Sequence, residues 1–317
     1  MKVWATLRDM VFDHGSAALV SLHEVKGSAP REAGARMIVR GDGAFHGSIG
    51  GGQLEWRMHA RAVEMLGAGP GARFFDQALG PDLGQCCGGW VKVLIETFDR
   101  SDAIALEALA QTEGEGPFEI QAVLRGGRVR RDVVGSAGLR WSALLGGDRW
   151  RERYGEIRTP LLLFGAGHVG RALVLALAPL PFAVQWVDDR PGAFPPHVPG
   201  NARLVAGSDP VGEVNRAAPD TFVLVMTHDH ALDLAITASA LLRPFAYVGL
   251  IGSATKRARF ERRFRELGIG EERIATLVSP VGIPGIPGKE PAVIAASVAA
   301  QLLAVRARSG APDHERA

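Results

Sequence analysis

The stretch Leu161-Leu162-Leu163-Phe164-Gly165-Ala166-Gly167-His168-Val169-Gly170 constrains the fold of this chain more than any other. A short apolar run ends in Gly-x-Gly-x-x-Gly and passes directly into residues 171–178, which read as a helix. Strand, glycine turn and helix in that order mark the opening unit of a doubly wound parallel sheet. In such a turn Gly165 permits the tight reversal. Gly167 lets a phosphate approach the amides at the helix N-terminus, and Gly170 lets helix and strand pack closely. About twenty residues further on, the run 184–187 ends in Asp188-Asp189-Arg190, where an acid can reach a ribose hydroxyl.

The alternation continues from Pro160. Apolar runs at 161–164, 184–187, 202–205, 221–226 and 246–251 are separated by helical segments at 169–178, 210–216, 231–242 and 254–267. Near-continuous apolar strands between helices predict a parallel sheet covered on both faces, with ligands at the carboxyl ends of its strands. The second strand ends in Asp188-Asp189-Arg190, the fourth in Thr227-His228-Asp229-His230, and the fifth in Gly252-Ser253 with Lys256-Arg257 following. Ser253 is an N-cap, and with those two cations the helix start can hold a phosphate; a solvated helix face is the plain alternative. His228 and His230 have His-x-His spacing, but no third metal ligand is evident. Capping by Thr227 or Asp229, with His228 facing a ligand, is the better reading. A Pro- and Gly-rich loop (279–291) reads as rigid, and the helix 292–306 has an alanine-rich face suited to packing within the chain or across a dimer.

The first half has a different texture. A helix over 2–14 ends at Gly15, and strands follow at 17–25, 36–40 and 44–49, the last two flanking Gly41-Asp42-Gly43 as a hairpin. The loop Lys26-Gly27-Ser28-Ala29-Pro30-Arg31 carries an accessible Arg31. Gly50, Gly51 and Gly52 directly precede a helix over 53–66, where amides can hold an anion or where two chains simply approach closely. Glu55 falls in that helix's first turn, and favouring the dipole is its expected role. Further strands at 73–75 and 91–96, a helix at 102–111 and a hairpin of 118–124 with 128–134 complete an α+β pattern. The fold class expected is therefore α/β: an N-terminal α+β domain (1–146), a linker (147–159), a doubly wound, Rossmann-like domain (160–306) and a flexible tail (307–317).

Hydrophobic residues make up 47% and charged residues 22%, enough to bury two cores across 317 residues. A net charge of +2 argues against nucleic-acid or anionic-membrane partners. Charges in the first nine residues break the apolar core a signal peptide needs, and no apolar run is long enough for a membrane span, 293–305 coming closest. The only cysteines, Cys86 and Cys87, are adjacent and cannot form an ordinary structural staple. A cytoplasmic protein is expected. Inside Gly84-Gln85-Cys86-Cys87-Gly88-Gly89, two thiols with little side-chain cover suit a soft metal, sulfur transfer or redox chemistry better than burial as small hydrophobes. A structural zinc site is disfavoured, because there is no second cysteine pair.

Together these motifs resemble the XdhC/CoxI family. In the first half the resemblance lies in Gly27-Ser28-Ala29-Pro30-Arg31, Gly47-Ser48-Ile49-Gly50-Gly51-Gly52-Gln53-Leu54-Glu55 and Gly84-Gln85-Cys86-Cys87-Gly88-Gly89. In the second it lies in Phe164-Gly165-Ala166-Gly167-His168-Val169-Gly170, Thr227-His228-Asp229, Gly249-Leu250-Ile251-Gly252-Ser253 and Pro280-Val281-Gly282-Ile283. The resemblance covers nearly the whole chain in one order.

It implies a chaperone for the molybdenum cofactor in its molybdopterin form. Such a protein holds the cofactor while a cysteine desulfurase exchanges an oxo ligand for sulfur, then delivers it to an apo xanthine dehydrogenase subunit. It implies an accessory factor with no catalytic residue of its own; a homodimer is also expected. Carried onto this chain, the cofactor-binding positions are Arg31, Gly50, Gly51, Gly52, Glu55, Gln85, Cys86, Cys87, Gly165, Gly167, His168, Gly170, Asp188, His228 and Ser253. Some relatives nearer the CoxI branch have a cysteine where this chain has Gln53, so a molybdenum-proximal role falls here on Cys86 and Cys87. The alternative is an NAD(P)-dependent oxidoreductase built on the second domain, favoured by Asp188 and disfavoured by the lack of a proton relay. A catalytically silent docking scaffold is the third option.

Overall fold

The computed structural model describes residues 1–80, 88–135, 142–146 (142–144 by backbone alone), 148–207 and 209–308. The chain forms two compact units, Met1–Glu156 and a second beginning at Ile157.

The first unit opens with α1 (Val3–His14), which buries Val3, Trp4, Leu7 and Val11 on one stripe. The helix stops at Gly15, whose left-handed φ of 85° lets its amide donate to the Val11 carbonyl. Lys2 offers no side-chain cap at the other end. The cap comes from α3 (Ala103–Glu115): buried Glu113 accepts from the amides of Val3, Trp4 and Ala5 at 2.8, 2.9 and 3.2 Å. A carboxylate thereby satisfies three orphan donors at the positive end of a helix.

Strands β1 (Ser16–Lys26), β2 (Arg36–Arg40), β3 (Phe45–Gly47), β4 (Gly71–Ala78) and β5 (Trp90–Asp99) make an antiparallel sheet in the order β3-β2-β1-β5-β4. One face packs under α2 (Gly52–Gly67) through Leu54, Met58 and Ala62. A second antiparallel sheet, ordered β7-β6-β9-β8, is made by β6 (Phe118–Arg125), β7 (Arg128–Gly135), β8 (Ser142–Gly146) and β9 (Arg149–Tyr154). Residues 149–154, expected as linker, are thus a strand. Trp150, Glu152 and Tyr154 point inward at period two, but a buried glutamate in the middle hides the apolar alternation. Glu152 is held by Trp150 Nε1 at 3.2 Å and by Arg36 at 3.3 Å, and the Arg36 guanidinium lies 3.9 Å from the Tyr154 ring centroid. Buried Arg131 pairs with buried Glu96 nearby.

In the second unit β10 (Thr159–Phe164), β11 (Phe182–Asp188), β12 (Ala202–Ala206), β13 (Phe222–Val225), β14 (Tyr247–Leu250) and β15 (Leu277–Val278) form an entirely parallel sheet, ordered β12-β11-β10-β13-β14-β15. Side chains alternate between two cores. Leu161 and Leu163 face α4 (His168–Leu177) and α9 (Pro291–Arg308). Leu162 and Phe164 face the layer that includes α6 (His230–Leu241) and α7 (Ala254–Glu266). The doubly wound architecture is as expected from the apolar runs. Neither β15 nor the short helix α8 (Glu271–Ala275) was legible beforehand, since two and five residues are too few to show a period.

Helix α9 corrects another expectation. At 18 residues it is long and apolar enough, by length and composition, to cross a membrane. In the structure it is a core helix: Ala295, Val298, Ala299 and Leu302 are buried against the sheet and α4, and buried Arg306 donates to Thr159 Oγ1 at 3.0 Å. Its alanine-rich face therefore packs within the chain.

Candidate functional site

In the first unit, three of the motifs meet at one place. A Cβ on Gly50 would lie 2.7 Å from Pro30 Cβ and 3.4 Å from Arg31 Cγ, and one on Gly89 would lie 2.2 Å from the Ser28 carbonyl oxygen. The loop 27–31 is thus clamped between the glycine loop and the end of the Cys-Cys motif, and only glycine tolerates both approaches. Gln85, Cys86 and Cys87 lie outside the described residues. The segment that contains them joins β4 to β5, whose last and first residues, Ala78 and Trp90, are paired.

Glu55 closes the glycine loop from within. Its Oε2 accepts from Ser48 Oγ at 2.6 Å, Ile49 N at 3.0 Å and Gly51 N at 3.2 Å. Partial burial would raise its pKa, but these hydrogen bonds outweigh that and lower it. An internal carboxylate already sits where an external anion was expected, so the loop is a braced turn whose amides at 49 and 51 are spoken for. Gly51 still has no atom within 4 Å of a Cβ position, so this side of the turn is open. Arg31 lies 3.6 Å from Glu32 as a half-exposed ion pair.

In the second unit the strand order reverses between β10 and β13, and the crevice outside their carboxyl ends is where doubly wound folds bind ligands. The glycines divide the work as their spacing implied. Gly165 has φ 108°, and a Cβ there would lie 2.3 Å from the Met226 carbonyl oxygen. A Cβ on Gly170 would lie 2.1 Å from the Gly165 carbonyl oxygen. Gly167, the N-cap of α4, has an ordinary φ of −73° and open space at its Cβ. Above it is a cavity of about 440 Å³ lined by Ala166, Gly167, His168, Arg171, Arg190, Pro191, Ala193 and His228.

Asp188 does not face that cavity as a free acid. Its Oδ2 accepts from Ala166 N at 2.6 Å and Arg190 Nη2 at 2.8 Å, and its Oδ1 from Arg190 N at 3.0 Å and Nε at 2.9 Å. Burial would raise this carboxyl, but the Arg190 side chain, with the two amides, holds it at about 2. Four hydrogen bonds use up a carboxylate's four acceptor positions. The ribose-binding role expected of Asp188 is therefore not available in this geometry: Asp188 braces the glycine turn and fixes Arg190. What remains on the cavity wall are donors and two exposed imidazoles, His168 and His228.

The fifth strand's end is arranged differently from expectation. Ser253 caps α7 by accepting from Lys256 N at 3.3 Å, but it does not line the cavity. Lys256 turns inward: its Nζ donates to fully buried Asp233 at 2.6 Å and to the Ile251 carbonyl at 3.0 Å. Asp233 in turn accepts from Thr227 N and Oγ1 at 3.0 and 2.7 Å. Arg257 reaches the Ser279 carbonyl at 2.8 Å. The Lys-Arg pair is a structural brace, not a phosphate grip. Asp229 caps α6 through Ala231 and Leu232, and His230 accepts from Arg259 at 3.0 Å, so the His-x-His pair is divided between crevice and helix. Among the described residues no group of three or more His, Cys, Asp or Glu is placed to hold a metal. Arg190 and Asp233 had not been singled out; an arginine two places after the ribose acid was the one signal that could have found the first.

Comparison with known proteins agrees with this division. Residues 13–76 match the model of the XdhC and CoxI family, and residues 161–302 match the XdhC Rossmann domain. Both halves of the chain thus match models of the XdhC/CoxI family. The molybdenum cofactor insertion chaperone PaoD of Escherichia coli (strain K12) is 26% identical over 304 residues, 92% of this chain and 83% of PaoD. YqeB of the same organism is 28% identical over 307 residues, 91% of this chain but 43% of YqeB, so the chain spans less than half of that relative. A crystal structure of a Bacillus halodurans protein described as a xanthine dehydrogenase superposes with a TM-score of 0.77 at 23% identity, covering 98% of this chain and 97% of the other. That likeness concerns the fold.

Proposed function

We propose that the chain is a non-catalytic carrier of the molybdenum cofactor that serves the maturation of a molybdoenzyme. The observation that carries this reading is the filled Asp188. A crevice at the switch point of a doubly wound sheet that offers arginine, histidine and helix-start donors, and whose acid is already satisfied, suits a phosphate monoester and lacks the acceptor a ribose diol needs. Molybdopterin ends in such a phosphate. Arg171, which donates through Nε and Nη2 to the Ala166 and Ala193 carbonyls, and Arg190, which donates through Nε and Nη2 to Asp188, would hold it at Gly167 and His168 through their remaining N–H groups, with His228 facing it from the end of β13. The name of PaoD supports the same cargo. The NAD(P)-dependent oxidoreductase reading loses its main residue, because Asp188 is committed to Arg190.

The finer features extend this proposal. Cys86 and Cys87 are the chain's only thiols and are its soft groups for the molybdenum end, in keeping with sulfuration by a cysteine desulfurase before delivery to a xanthine dehydrogenase subunit. Arg31, Gly50, Gly51 and Glu55 shape the open turn of the first unit, which adjoins the cysteine motif through Gly89. The molybdenum supplies redox chemistry once it resides in the recipient enzyme; the residues here bind, orient and release. A homodimeric, cytoplasmic protein completes the proposal.

The test pairs Arg171→Ala with Arg190→Ala in the full-length chain, expressed with the cofactor pathway active. Loss of co-purifying pterin in either variant, with the fold intact by circular dichroism, supports the crevice as the phosphate site. Unchanged pterin content in both refutes it. Replacing Cys86 and Cys87 together by alanine should preserve pterin retention but lower activation of the recipient dehydrogenase; unchanged activation would remove the thiols from the account.

A further inference from the structure

The antiparallel pair α1 and α3 turns its inner stripes to the sheets but leaves an outer face uncovered. A groove of about 1310 Å³ runs along it, with the small residues Ala103 and Ala108 in its lining and two large apolar side chains beside it, Phe12 at 79% and Ile104 at 89% exposure. Exposed apolar groups of this size next to a groove with small side chains are costly unless something covers them.

The charges around the groove say what kind of partner fits. Arg8 is committed to Asp9 and Glu107 within the chain. Arg100 and Asp13 also line the groove, have opposite signs, and among the described residues have no ion-pair partner. A partner of one net sign would satisfy one and repel the other. A second copy related by a two-fold axis presents Asp13 to Arg100 and Arg100 to Asp13 at once, and offers its own Phe12 to the groove.

We infer that the α1–α3 face is the subunit interface of a two-fold symmetric homodimer, with Phe12 of each copy seated in the groove of the other and Arg100 paired across the axis with Asp13. This rests on the homodimeric part of the proposed function and not on the cargo.

The test is sedimentation equilibrium of the full-length chain. The wild type should be a dimer. Phe12→Glu, Arg100→Glu and Asp13→Arg should each raise the dimer dissociation constant by about tenfold or more, and the double charge swap Arg100→Glu with Asp13→Arg should recover most of that loss. All three substitutions are at exposed positions, and circular dichroism melts confirm the fold. A dimer indifferent to Phe12→Glu overturns this surface while leaving the homodimer standing. Single charge reversals without rescue overturn the pairing. A monomeric wild type overturns both surface and homodimer, and leaves the cofactor reading to its own test.

Discussion

Replacing His23 by glutamine should remove a specific part of the chain's acid sensitivity. His23 is 3% exposed on β1, edge-on to Phe74 and Trp150 with ring centroids at 5.4 and 5.1 Å. Burial lowers the imidazole from 6.5 to about 4; Glu152 pulls the other way, and Arg36, Arg131 and Lys92 reinforce the burial. The folded state therefore keeps His23 neutral where the unfolded chain protonates it. Above the unfolded pKa both states are neutral and stability is complete. As pH falls through that value the unfolded chain alone takes up the proton, and stability is lost until the folded pKa is reached. The slope approaches about 1.4 kcal/mol per pH unit, for a total of roughly 3 kcal/mol. Urea unfolding followed by tryptophan fluorescence suits this unit, because Trp186 is the only tryptophan outside it. Between about pH 7.5 and about pH 4.5 the wild type should lose about 2 to 3 kcal/mol more than His23→Gln. The variant will be less stable at neutral pH through lost ring packing, but that offset is constant. Parallel pH profiles for the two proteins would refute the assignment of a neutral buried imidazole.

Other consequences follow from single contacts. Glu113→Ala should cost about 2 kcal/mol or more in urea unfolding, because three amides of α1, those of Val3 and Trp4 buried, lose their acceptor, and Glu113→Gln should cost less. Gly170→Ala should destabilise the second unit by about 1 to 3 kcal/mol despite better helix propensity, whereas Gly167→Ala, with open space and an ordinary φ, should stay within about 0.5 kcal/mol yet weaken ligand retention. Asp188→Asn should cost about 1 to 3 kcal/mol at neutral pH. Because the wild-type carboxyl is held at about 2, that cost should stay flat from pH 8 down to about 5 and then shrink as pH falls from the ordinary carboxylate value through the folded one.

How far the sequence reached is clearest at the strand ends. The roles of Gly165 and Gly170 were legible because they are steric, and the glycine spacing encodes which backbone atoms approach. Asp188 was misread because its use depends on Arg190 folding back over it, which is a choice of side-chain direction and not of residue type. Lys256 was misread in the same way: its partner, Asp233, sits on another helix, and nothing in either local pattern announces the pair. The parallel strands were legible from their continuous apolar runs. Strand β9 was not, since Glu152 occupies an inward position and is made tolerable by Arg36, which comes from β2, and by Trp150 two places before it. Glu55 shows the converse, a dipole-favouring role read correctly that also closes the turn behind it.

The most direct test of the carrier account is to purify the full-length chain under reducing conditions and measure its molybdenum, its fluorescent oxidised pterin and its affinity for NAD in one preparation. The account predicts pterin and molybdenum in comparable amounts, displaced by no concentration of NAD that saturates an ordinary dinucleotide enzyme. Tight NAD binding by a preparation without pterin would contradict it.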